Sequence, residues 1–150
     1  MAKSNIGIVI HPDAVEVVDA SARRDSQWPR ITRVAVADTG DVRQLSDGLK
    51  MAVRQAGIRA RQVGISLPTQ EVLLRFFTLP ILPKGEWHQA VQFEVRKHTP
   101  FRIEELVWDY EVVEERQQRQ LDVVFVGVRK DRFERLLQVL QQADLEPAFI

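Results

Sequence analysis

The 150-residue chain has no cysteine, which removes disulfide frameworks and thiolate metal sites from the readings open to it and fits a reducing compartment. It has no excess of one charge. Its 21 Lys+Arg balance 21 Asp+Glu, so no net attraction to nucleic acid or anionic lipid is built in. No apolar run approaches the ~20 residues that span a bilayer, and the N-terminus lacks the charged-then-apolar layout of a secretory leader. Neither GxxxxGK[ST] nor GxGxxG occurs. The three histidines, His11, His88 and His98, fall in different elements and not at metal-ligand spacing. Ser66 lies in VGISLP, without the second glycine of a nucleophile elbow. The spacing of side chains therefore yields no catalytic residue and no metal ligand. The chain reads as a cytoplasmic globular protein.

The first part alternates as strands do. Ile6, Ile8 and Ile10 alternate with Gly7, Val9 and His11, a strand apolar on both faces; a turn at His11-Pro12-Asp13-Ala14 then leads into a return strand over 15–20. A polar loop over 22–29 precedes a third strand over 31–38. Val42, Leu45, Leu49, Ala52, Val53 and Ala56 recur at three- and four-residue spacing and predict a helix. Asp41, or Thr39 before it, can cap its start, and Gly57 stands where a left-handed C-cap is needed. A short core strand over 63–67 follows. This β-β-β-α-β order implies a mixed sheet covered by at least one helix.

The second part opens with the strand EVLLRFFTL over 71–79, whose Arg75 is a charge inside an apolar run. Pro80 and Pro83 precede a helix that begins near Lys84, and Pro100 stops it just past His98. Trp87, Ala90, Val91, Glu94, Val95 and His98 share one stripe of that helix, which sets Glu94 on the inner face. An Arg75–Glu94 pair is the expected solution for two inward charges; the alternative is that both reach the rim and snorkel into water. A half-buried strand over 107–114, a polar turn over 116–120 and a central strand over 121–128 come next. Asp131 and Glu134 then fit a capping box for a helix with inner stripe Phe133, Leu136, Leu137, Leu140 and Ala143. Residues 148–150 begin one more strand, the end expected of a piece of a longer protein. The fold class is α+β, with a module of the split βαβ kind in the second half.

The ordered series Val63–Pro68 (VGISLP), Leu79-Pro80, Phe93-Glu94, Thr99-Pro100-Phe101, VWDY over 107–110, VGVRK over 126–130 and Leu145-Glu146-Pro147 resembles the PilM family of actin-like proteins of type IV pilus assembly. More distantly it is similar to the cell-division protein FtsA and to the cytoplasmic part of the type II secretion protein GspL. The resemblance implies an actin-like (ribonuclease H-like) half-subdomain over 1–70, with its return strand from 148. Residues 71–147 would be an inserted strand-helix-strand-strand module. It further implies a phosphate loop of the form G-x-D-x-G-S-S-S-x-K in the first hairpin, serving ATP and magnesium. Here Val9 stands in place of the aspartate, His11 and Pro12 in place of small residues, and Glu16 in place of the cation. Each change works against a triphosphate.

The resemblance thus leads to a degenerate, non-hydrolysing scaffold of a pilus or type II secretion assembly platform, held at the inner membrane through its partners. The implied partner is the N-terminal cytoplasmic peptide of a PilN-like bitopic membrane protein, docked in a groove as peptides commonly are. Phe77, Leu79, Leu82 and Trp87 are the candidate groove residues, and plain core is the competing reading of all four. The alternatives from other classes are an active actin-like ATPase and an FtsA-like filament former that self-associates.

Overall fold

A computed structural model describes residues 6–11, 13–20, 30–35, 41–116 and 120–150. They form two compact units, one of residues 1–68 and 134–150, the other of residues 69–133.

The first unit is built on a five-stranded sheet in the order β3-β2-β1-β4-β8. Its strands are β1 (Ile6–Ile10), β2 (Ala14–Asp19), β3 (Arg30–Ala35), β4 (Gln62–Ser66) and β8 (Glu146–Phe149). β1 and β2 pair antiparallel, as do β2 and β3, whereas β1–β4 and β4–β8 are parallel. The pleat puts Ile8, Ile10, Val15, Val17, Val34, Val63 and Ile65 on one buried face. Helix α1 (Val42–Gln55) lays Leu45, Leu49 and Ala52 into the same core. Asp41 caps its start by accepting the N–H of Arg43 at 2.8 Å; Thr39 lies outside the described residues. Its end is a Schellman turn. Gly57, at φ 70°, donates to Arg54 O, and Ile58 donates to Val53 O.

Helix α3 (Lys130–Gln142) departs from the sequence reading in three ways. It was expected in the inserted module, yet Leu136, Val139 and Leu140 join the core of the first unit. Val139 takes the buried place expected of Leu137, which is exposed, because the stripe turns by 100° per residue about Leu136 and Leu140. The capping box does not form, since the helix already begins at Lys130 and Asp131 bonds Arg129 at 2.8 Å instead. The helix ends as α1 does, here with Asp144 in the left-handed conformation (φ 62°) and Leu145 N donating to Leu140 O. Arg61 pairs with Asp144, and the N–H of Glu146 donates to Arg61 O, which seats β8 beside β4. Gly64 has no side chain where the ring of Phe149 crosses it.

The second unit is an antiparallel sheet in the order β5-β7-β6 under one helix. Its strands are β5 (Val72–Pro80), β6 (Leu106–Arg116) and β7 (Gln120–Arg129), and the helix is α2 (Trp87–His98), entered through a single 3-10 turn. The central place of β7 follows from its nearly continuous apolar sequence. Leu79, Leu106, Leu121, Val123 and Phe125 point to α2, which answers with Val91 and Val95. The ring of Phe125 stacks at 5.6 Å on Trp108, and Trp108 at 4.7 Å on His88. Among the described residues no helix is long and apolar enough to cross a membrane.

Phe125→Ala is expected to lower unfolding free energy by about 3–5 kcal/mol, read by urea titration of tryptophan fluorescence. Gly57→Ala, straining one left-handed residue, costs about 1 kcal/mol in the same assay.

Candidate functional site

Two places hold the residues singled out by sequence. The first is the β1–β2 hairpin. Its turn is closed by the backbone: the N–H of His11 donates to Ala14 O at 2.8 Å and is therefore not directed at a ligand. Val9 lies half-buried opposite Glu16 in the antiparallel ladder and beside Ser66 of β4 in the parallel one. Glu16 is held by an arginine and approached by a histidine whose Nε2 makes no hydrogen bond. Arg33, on β3, donates through Nη1 to Glu16 Oε1 at 3.1 Å, and His11 Nε2 stands 3.4 Å from Glu16 Oε2. The same guanidinium reaches Asp13 at 3.7 Å. Two carboxylates thus share one permanent cation at the hairpin mouth. Pro12 lies outside the described residues.

Sequence reasoning missed Arg33. The signal was present: Glu16 and Arg33 face outward on adjacent antiparallel strands, and such cross-strand positions pair opposite charges.

The second place is the β5–α2 corner. Leu79 is 4% exposed and belongs to the core, so the expectation that it contacts a partner is corrected. It sits on the same pleat face as Leu73, Arg75 and Phe77, the face covered by α2. Phe77 is half-buried, with its ring parallel to that of His98 at 5.8 Å. Trp87 is half-buried and donates its indole N–H to Leu82 O at 2.8 Å, and the Lys84 ammonium lies 5.7 Å from its ring. Phe77 and Trp87 both pack on the core that holds Leu79, Phe77 beside His98 at the C-terminal end of α2 and Trp87 at its N-terminal end, where Leu82 reaches it through its carbonyl.

The Arg75–Glu94 pair does not form. Arg75 donates through Nε to His98 O at 2.9 Å and through Nη1 to Leu74 O at 2.8 Å. Pro100 ends α2 and leaves the His98 carbonyl without an intrahelical partner, at the negative end of the helix dipole; a guanidinium is well suited to that place. Glu94 turns instead to its own helix, with Lys97 Nζ at 2.8 Å and His98 Nε2 at 3.3 Å. The Lys97 hydrogen bond holds the Glu94 carboxyl below its usual value of 4.5, against partial burial, which pushes it up; His98 adds to the lowering.

Among the described residues no group of three or more His, Cys, Asp or Glu side chains is placed to hold a metal. The family described as type IV pilus assembly protein PilM matches residues 7–150. The chain belongs to the PilM family. In the PilM–PilN type IV pilus biogenesis complex, one solved chain matches with a TM-score of 0.77 and 22% identity, over 97% of this chain and 46% of that one. The cytoplasmic domain of EpsL, an inner-membrane component of the type II secretion system of Vibrio cholerae, matches with a TM-score of 0.58 and 13% identity. That match covers 95% of this chain and 54% of the EpsL chain. This member of the PilM family spans about half the length of either. Its fold is the actin-like one of those relatives. Comparison with the curated proteins found no match.

Because the Glu94 carboxyl is lowered when folded, its contribution is present above about pH 4.5 and lost as pH falls through the lowered value. The melting temperature of Glu94→Gln should lie slightly below that of the parent at pH 6, by the equivalent of about 0.5 kcal/mol. The two should converge as the pH approaches about 3. Circular dichroism melts across that range check it.

Proposed function

We propose that this chain is a docking component and not a nucleotide hydrolase. It acts as a cytoplasmic scaffold in a type IV pilus or type II secretion assembly platform, joined to the inner membrane by holding a short cytoplasmic peptide of a bitopic partner. The observation that carries the first half of this reading is Glu16. A carboxylate anchored by Arg33 occupies the hairpin mouth, and among the described residues the only permanent cation of that cluster is shared with a second carboxylate, Asp13. A polyphosphate brought there meets like charge, and the His11 N–H is already spent on Ala14. The Val9 side chain has no oxygen to offer magnesium.

Membership of the PilM family supports the assembly role, and the PilM–PilN complex among its structural relatives supports a PilN-like partner. The surface offered for the peptide runs along α2 from the half-buried Leu82 and Trp87, where an indole bonded to a turn carbonyl makes a firm apolar wall, to Phe77 beside His98.

Calorimetry of the protein at its full natural length with Mg-ATP is expected to show no magnesium-dependent binding, and tight binding would return the chain to the ATPase class. The N-terminal peptide of a PilN-like protein should be retained in a pull-down. Leu82→Glu should weaken that capture by about tenfold or more while circular dichroism stays unchanged; unaltered capture moves the groove elsewhere.

A further inference from the structure

The outer face of the β5-β7-β6 sheet, opposite α2, is apolar where a solvated antiparallel sheet is normally polar. The ladder fixes its rows. Val72, Val128 and Val107 form one, Leu74, Val126 and Asp109 the next, and Phe76, Val124 and Glu111 the third. Phe76 is 71% exposed, and Leu74 and Val126 are also exposed. A bulge on β6 adds Val113, 63% exposed, beside Glu111. At this end lies a hollow of about 370 Å³ lined by Phe76, Phe77, Thr78, Val113, Asp122, Val123 and Val124.

Among the described residues Asp109 and Glu111 run along β6, beside Leu74–Val126 and Phe76–Val124. Asp109 accepts only the neighbouring N–H of Tyr110, and neither it nor Glu111 meets a cation among the described residues. The face is thus an apolar strip on β5 and β7 flanked on one side by the carboxylates of Asp109 and Glu111. A second copy laid face to face would add more carboxylates to the same contact, and an anionic bilayer would be repelled.

We propose that this face docks a basic amphipathic helix of a partner protein, lying along β7, with leucine-like side chains on Leu74, Phe76, Val124 and Val126 and lysine or arginine over Asp109 and Glu111. The nine residues of β5 extend for about 30 Å, which matches a helix of about 20 residues. A large apolar side chain of that helix fills the hollow beside Val113. The surface lies on the opposite side of β5 from Leu79, and Phe77, a residue of the proposed peptide site, helps to line its hollow.

The test uses an amphipathic leucine–lysine helical peptide and its leucine–glutamate counterpart, titrated into the 150-residue chain and followed by fluorescence anisotropy. The leucine–lysine peptide is expected to bind and the leucine–glutamate one not. Phe76→Lys should weaken binding by at least about tenfold. Glu111→Gln should weaken it several-fold and flatten its dependence on salt. Both substituted positions are exposed, and circular dichroism confirms that the variants fold. Absence of leucine–lysine binding, equal binding of the two peptides, or binding unchanged by Phe76→Lys would overturn the proposal. A concentration-dependent dimer in sedimentation that Phe76→Lys abolishes would overturn it too, since the face would then belong to a second copy.

Discussion

A pleated strand must present every second side chain to the opposite face, and covering one face of a sheet does nothing for the other. That constraint organises both halves of this chain. In the first unit α1 and α3 cover the face of Ile8, Val15, Val17 and Val63, and the opposite face carries Val9, Glu16 and Arg33. In the second, α2 covers the face of Leu79, Val123 and Phe125, and the opposite face carries Phe76, Val124 and Asp109. Stability is vested in the covered faces; the chemistry that distinguishes this member of the PilM family lies on the others.

On the first unit that opposite face is charged. A phosphate loop depends on free backbone N–H groups and cations converging on one point. In this hairpin the turn N–H of His11 bonds the chain itself, and Arg33 is committed to Glu16 and Asp13. The result is a hairpin whose donors serve its own closure. The actin-like sheet tolerates this because its core draws on Ile6, Ile8 and Ile10, on the other side of β1.

Two expectations about side chains failed, each for its own reason. Arg75 and Glu94 were matched as opposite charges on facing stripes, but each had a nearer partner. The carbonyl of His98, freed by the proline that ends α2, takes the guanidinium, while Lys97 and His98, three and four residues along the helix, take the carboxylate. The first of these was legible in Thr99-Pro100, since a terminated helix always exposes carbonyls. Leu79 was offered to a partner because its neighbourhood reads as apolar, but parity with Leu73 and Phe77 buries it.

Local signals determined most of the framework. The alternation of isoleucines, the α1 stripe with Asp41 and Gly57 at its ends, the proline stop after His98 and the apolar run of β7 each act within a few residues of chain, so the sequence alone settles them. Val9, His11 and Glu16 were equally visible as letters. What only the tertiary structure decided was who meets whom across long separations. It brought Arg33 to Glu16, gave the stripe of α3 to the first core and not to the module before it, and left β5 and β7 with an uncovered apolar face edged by the carboxylates of β6. Periodicity assigns a side chain to a face, but the neighbour on that face comes from strand order and register, which are properties of the folded chain.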